Sequence, residues 1–188
     1  MKKGTLHLVH RQANAPVMGA PHYSLNWNAA SGSLHVDFEV QGRVPHVNPL
    51  LPFDQSADKL WEHDVVEVFV SLARAEDEVP FAPYLEFQVS PLGQYFELKI
   101  FKPRERVQIN PMLGLVPQAT KSSNSWTARF EIPLEKHLNC AKGQPIFGNL
   151  YSILGAPGSK EFWSLFTPPQ TVPDFHVPSH FKRLLIVE

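Results

Sequence analysis

Apolar and polar residues alternate through SLHVDFEVQG (33–42), so that Leu34, Val36, Phe38 and Val40 share one face and His35, Asp37 and Glu39 the other. A period of two marks a strand buried on one side. PYLEFQVS (83–90) does the same, with Leu85, Phe87 and Val89 facing one way and Tyr84, Glu86 and Gln88 the other. A turn in PLGQYF (91–96), where Gly93 can take positive φ, leads into QYFELKIFK. There Phe96, Leu98 and Ile100 oppose Glu97, Lys99 and Phe101, and the two segments predict a hairpin. SWTARFEIP (125–133) repeats the pattern through Trp126, Ala128, Phe130 and Ile132. IFGNLYSILG (146–155) and FKRLLIVE (181–188) are further strands, and LEKHLNC reads as one helical turn.

One segment breaks the rule. In LWEHDVVEVFVS (60–71) a run of Val, Phe and Val carries Glu67 at its centre. A carboxylate in such surroundings must be paired, hydrogen-bonded or protonated. Two readings stay open: a structural ion pair, with Arg129 or Lys99 as partner, or a functional carboxylate on a sheet whose other face is core.

Proline number settles the class. Eighteen prolines in 188 residues is about twice the usual ~5%, and long helices tolerate few of them. Short strands punctuated by Pro and Gly predict an all-β protein, an antiparallel β-sandwich in a single domain spanning 1–188. Long Pro-rich loops at 43–59 and 156–180 are too apolar for linkers and are expected to fold over an end of the sandwich.

Charge and cysteine exclude several partners. Lysine plus arginine (17) balance aspartate plus glutamate (18), so no net field draws the chain to nucleic acid or to an anionic membrane. KPRER (102–106) alternates in sign and reads as a solvated strand end. Cys140 is the single cysteine, which rules out an internal disulfide. MKKGTLHLVHRQANAP has no unbroken apolar stretch of the kind a secretory signal needs, so a cytoplasmic location is expected.

The polar members of the strands supply candidate chemistry. If the strands carrying Glu67, Glu86/Gln88 and Glu97/Lys99 are neighbours, these groups form a polar patch; singly, each is an ordinary solvent-facing residue of an open sheet. Trp61 and Trp163 lie at or near loops, whereas Trp27 and Trp126 belong to strands and read as core. Two indoles beside a carboxylate and an amide suit a pyranose, whose C–H faces stack on rings while its hydroxyls take hydrogen bonds.

LWEHDVVEVFV, YLEFQVSPLGQYFE, WTARFEIPL and FWSLFTPPQTVPDFHVPSHF, in that order over about residues 60–185, resemble the family 9 carbohydrate-binding modules and the wider DOMON-like superfamily. The likeness is to a cytosolic DOMON-like branch. The resemblance implies a sandwich whose relatives bind sugars or, in other branches, haem. It also implies that the W-x-x-D-x-V-E pattern places a stacking tryptophan at Trp61 and a sugar-bonding glutamate at Glu67, with Asp64 between, and that Trp163 is the second plate. The family's F-x-V-N segment departs here to FQVS, with Gln88 and Ser90.

The expectation is therefore non-catalytic binding of a carbohydrate or sugar-containing metabolite through Trp61, Asp64, Glu67, Glu86, Gln88, Lys99 and Trp163. Three alternatives stand beside it. Glu67 and Glu86 as acid and base would make a glycoside-acting enzyme. Asp174, His176 and His180 in DFHVPSH, or Met18 and Met112 as axial ligands, would make a metal or haem protein, although no cofactor is expected. Exposed Trp and Phe of the long loops would make a protein-interaction module.

Overall fold

The computed structural model describes residues 1–15, 19–72, 83–169 and 173–188. Its strands are β1 (Lys2–Thr5), β2 (His7–Arg11), β3 (His22–Asn28), β4 (Ser33–Gln41), β5 (Val65–Leu72), β6 (Tyr84–Val89) and β7 (Tyr95–Lys102), then β8 (Arg106–Ile109), β9 (Val116–Lys121), β10 (Ser125–Ile132), β11 (Pro145–Leu154), β12 (Glu161–Ser164) and β13 (Lys182–Ile186). One short helix, α1 (Leu134–Leu138), fills the predicted turn. All the strand ladders are antiparallel.

Two sheets form the sandwich. The smaller runs β1-β3-β4-β10-β9; the larger runs β2-β12-β11-β5-β6-β7-β8, with β13 also against β11. Strand β11 holds the larger sheet together, since Pro145–Gly148 meet β13 and Tyr151–Leu154 meet β12 along one side while β5 takes the other. Gly148 lets this crowding happen: a Cβ there would stand 1.9 Å from the Phe69 carbonyl oxygen.

The predicted inward residues do line the inter-sheet core. Leu34, Val36, Phe38 and Val40 of β4 meet Trp126, Ala128, Phe130 and Ile132 of β10, and these pack against Val66, Val68 and Val70 of β5 and Leu85, Phe87 and Val89 of β6. Burying such side chains stabilises the fold by roughly 1.5–3 kcal/mol each before entropy is counted. The hairpin of β6 and β7 turns through Gly93 at φ 75°.

The outer face of the larger sheet is the departure from a simple sandwich. A second apolar layer covers it, built from Val65, Phe69, Tyr84, Phe96, Leu98, Ile100, Phe147 and Tyr151 of the sheet beneath Leu60, Phe175 and Phe181 of the loops. The Pro-rich loops therefore lie across a sheet face, where an end of the sandwich was expected. Gln94 fastens the first, donating to the carbonyls of Asn48 (3.1 Å) and Leu51 (3.2 Å). Tyr151 fastens the second, donating its hydroxyl to the Phe175 carbonyl at 3.2 Å. This is why β5 is buried along its whole length.

Candidate functional site

The register fixes which polar side chains meet. Glu67 of β5 is opposite Gln88 of β6, which is opposite Phe96 of β7; on the other side Glu67 is opposite Tyr151 of β11. One step along, Phe69 is opposite Glu86. Glu67, Glu86, Gln88, Tyr151 and Phe96 thus share the outer face, because residues directly paired across strands project to the same side. Trp61 stands at the edge of this row in a 3-10 turn (Leu60–Glu62), its ring 6.2 Å from that of Phe96, and keeps 38% of its surface exposed.

These polar groups are desolvated. Glu67 retains 3% of its surface, Glu86 2% and Gln88 2%. Gln88 donates its amide to Glu86 Oε1 at 2.6 Å, while Gln88 Oε1 and Glu86 Oε2 have no hydrogen-bond partner among the described residues. Glu67 accepts no hydrogen bond among the described residues. Burial raises its pKa well above the ordinary range; the nearby Glu86 charge pushes the same way and Lys160 opposes both. Burial also raises Glu86, opposed by the Gln88 amide.

Two basic groups border the carboxyls. Lys160, just before β12, donates its ammonium to the Trp61 carbonyl at 2.7 Å and so ties the tryptophan turn to the sheet. Burial lowers its pKa, while Glu62, Asp64 and Glu67 raise it. His176, on the second loop, pairs through Nδ1 with the Tyr84 hydroxyl at 2.8 Å, and its Nε2 lies 3.8 Å from Glu86 Oε2. Burial lowers the His176 pKa, against a raising field from Asp174.

Three predicted residues stand elsewhere. Lys99 and Glu97 project from β7 to the side opposite Phe96, because Gln88, rather than Phe87, pairs with Phe96. Lys99 lies 5.4 Å from the Phe101 ring, and Glu97 accepts the backbone N–H groups of Leu113 (2.7 Å) and Leu115 (2.8 Å). Trp163 also faces inward: it pairs with Ser152 in β11, is 5% exposed and belongs to the inter-sheet core. It cannot form a plate over Glu67, since the sheet lies between them.

Asp64 has a structural post. It is fully buried, accepts the Gly155 N–H at 2.6 Å and faces Arg43 Nε at 3.9 Å. Arg43 in turn reaches Glu161 Oε2 at 3.4 Å, and Arg11 takes Glu161 Oε1 at 2.9 Å. Arg129, one of the two cations considered for Glu67, pairs with Asp37 at 2.6 Å on the other sheet. Neither it nor Lys99 serves Glu67.

The weak metal set does not converge. Asp174 pairs with Arg104 and accepts the His176 N–H at 3.1 Å, while His180 ends a 3-10 turn (Pro178–His180). Among the described residues no three His, Cys, Asp or Glu side chains are grouped to hold a metal ion. Met112 is 86% exposed, and Met18 lies outside the described residues.

A concavity of about 940 Å³ lies on the outer face of the smaller sheet, lined by Lys3, Ser24, Asp37, Glu39, Gln118 and Arg129 among others. There Arg129 and Ser24 both donate to Asp37. Tyr23, the aromatic residue at its floor other than Phe38, is only 7% exposed. It offers no plate for a sugar face, whereas the Glu67 row has Trp61.

Comparison with known proteins supports the fold. No family model matches the chain, and no curated protein matches it. A solved structure from Bacteroides uniformis, designated a candidate carbohydrate-binding protein, superposes with a TM-score of 0.71 at 18% identity, covering 96% of this chain and 84% of that one. A family 9 carbohydrate-binding module from Caldicellulosiruptor kristjanssonii, solved with glucose, gives a TM-score of 0.58 at 13% identity, covering 93% and 82%. The cellotriose complex of a family 9 module from the same organism gives 0.56 at 13%, covering 94% and 80%. The fold is that of the family 9 modules.

Proposed function

We propose that this protein binds a sugar, without transforming it, at the outer-face row of the larger sheet. Trp61 stacks on the ring, and Glu67 with Gln88 accepts hydrogen bonds from its hydroxyls. The observation that carries this reading is Glu67 itself: a carboxylate 3% exposed, without a hydrogen-bond partner among the described residues, beside a half-exposed indole. A buried acceptor left unpaired costs about 1–3 kcal/mol, and a donor-bearing ligand offsets that cost.

The neighbours support the ligand class, since two of them are family 9 modules in complex with glucose or cellotriose. The depth of Glu67, which keeps 3% of its surface exposed, favours one ring or a chain end over the middle of a polymer. A small sugar or sugar-containing metabolite is thus the expected partner. The DOMON-like kinship and a cytoplasmic setting belong to the same proposal.

Calorimetric titration with glucose and cellotriose tests it, on wild type, Trp61→Ala and Glu67→Gln. Loss of the stack or of a charge-assisted hydrogen bond, about 1.5–3 kcal/mol for the latter, weakens binding by roughly ten- to a hundredfold. Wild type and both variants binding alike would place the sugar elsewhere.

A second reading rests on the paired carboxyls. Burial raises both Glu67 and Glu86, and the Glu86 charge raises Glu67 further, the kind of carboxyl pair that glycoside cleavage uses as acid and base. Release of nitrophenol from aryl glycosides, abolished in Glu67→Gln and Glu86→Gln, would favour it over binding alone.

A further inference from the structure

The unspent hydrogen-bonding capacity of the outer face is one-sided. Gln88 has given its amide to Glu86 Oε1, leaving Gln88 Oε1 and Glu86 Oε2 unpartnered in side chains each 2% exposed. Glu67 adds a carboxyl with no hydrogen-bond partner among the described residues. No donor among the described residues makes a hydrogen bond to Gln88 Oε1 or Glu86 Oε2: Lys160 gives one of its N–H groups to the Trp61 carbonyl at 2.7 Å, and Tyr84 and His176 Nδ1 bond each other at 2.8 Å. His176 Nε2, 3.8 Å from Glu86 Oε2, is beyond hydrogen-bond reach.

The charges are one-sided as well. Two carboxyls interact across this face, and the groups that reach them are Lys160, Tyr84, Tyr151 and His176, with Glu62, Asp64, Asp174 and Arg104 further out. Lys160 is the lysine among the nearer groups, and its charge is shared with Glu62 and Asp64. A neutral sugar brings hydroxyl donors but does nothing to let the two carboxyls, both raised by burial, ionise together. An ammonium brings three donors and, in the same group, a positive charge that favours their ionised form.

We infer that this site selects a sugar bearing a protonated amino group over its neutral counterparts, with Glu86 and Gln88 receiving the ammonium beside Glu67. The inference rests on the sugar-binding reading above and adds the ligand's charge to it. The pyranose still lies on Trp61, so a simple alkylammonium ion lacks half of the contact.

Titration of wild type with D-glucosamine, D-glucose, N-acetyl-D-glucosamine and methylammonium, near pH 6.5 where a sugar amine is largely charged, tests the selection. Glucosamine binding at least tenfold tighter than glucose and N-acetylglucosamine, with methylammonium weaker than all three, is the expected result. In Glu86→Gln the glucosamine-to-glucose ratio falls toward one. Equal or tighter binding of either neutral sugar overturns the selection and leaves sugar binding standing. Methylammonium matching glucosamine overturns it too, by showing that charge alone suffices. No response to any of the sugars overturns the sugar-binding reading itself.

Discussion

Replacing Glu67 with Gln keeps the shape of the side chain and removes its proton equilibrium, which makes it a direct test of what burial does to this carboxyl. An unfolded glutamate ionises near pH 4.3; in the fold burial, aided by Glu86, raises that value well above the ordinary range. Between the two values the folded chain holds a proton that the unfolded chain has released. Stability therefore falls as pH rises, by about 1.4 kcal/mol for each pH unit, until the folded-state value is passed. Below about pH 4.3 both states are protonated and this difference is fully on the side of the fold. An amide at this position contributes no such slope. For a chain of this size 1 kcal/mol moves Tm by about 2–4 °C. The variant's Tm relative to wild type should climb by about 3–5 °C per pH unit above pH 5. Ligand-free thermal melts from about pH 4 to about pH 8 measure it. Parallel curves for the two proteins would refute the reasoning, because they require Glu67 to ionise in the fold as freely as in water.

Two further predictions test the placements around the site. Glu161→Ala removes the carboxylate shared by Arg11 and Arg43, both within 3.4 Å, and leaves the buried Arg43 with Asp64 at 3.9 Å; it should lower urea-measured stability by about 1–3 kcal/mol, and Glu161 tolerating Ala without loss would mean the arginines find water instead. Trp163→Phe should cost about 1–3 kcal/mol of stability as a core side chain shrinks, and neither it nor Lys99→Ala should shift the affinity for glucose by more than about twofold, since both residues lie across the sheet from Glu67. A tenfold loss in either would return that residue to the binding face.

Much of the fold was legible because the inter-sheet core obeys one rule. The alternation of Leu34, Val36, Phe38 and Val40, and of Trp126, Ala128, Phe130 and Ile132, predicts faces that register as neighbours. Site residues followed where period two was enough: Glu67 on one strand, Glu86 and Gln88 on the next. The rule failed across the hairpin, because period two tells which residues of a strand share a face and nothing about which face meets the neighbour's. Pairing of Gln88 with Phe96 puts Phe96, Leu98 and Ile100 on the outer face and sends Glu97 and Lys99 inward. Trp163 was misplaced for a related reason. EFWS looks like loop in a Pro-rich stretch, yet it is a four-residue strand whose partner, Ser152, faces the core. Lys160 carried no signal, and His176 stood out only as a metal candidate, since the approach of both to the carboxyls depends on how two loops lie.

Those same loops turn an ordinary polar sheet face into a site. On the smaller sheet, Asp37, Arg129 and Ser24 remain in contact with solvent and settle their charges among themselves. On the larger sheet, Leu60, Phe175 and Phe181 cover the face and keep water from the strands beneath. Glu67 and Glu86 then sit where every unpaired acceptor is costly. An apolar residue in that layer costs less than a carboxyl without a hydrogen-bond partner among the described residues. Trp61, 38% exposed and held by Lys160, stands at the margin of the covered face. On the sugar-binding reading proposed above, the stability forgone at Glu67, Glu86 and Gln88 is what a hydroxyl- or ammonium-bearing ring restores on binding.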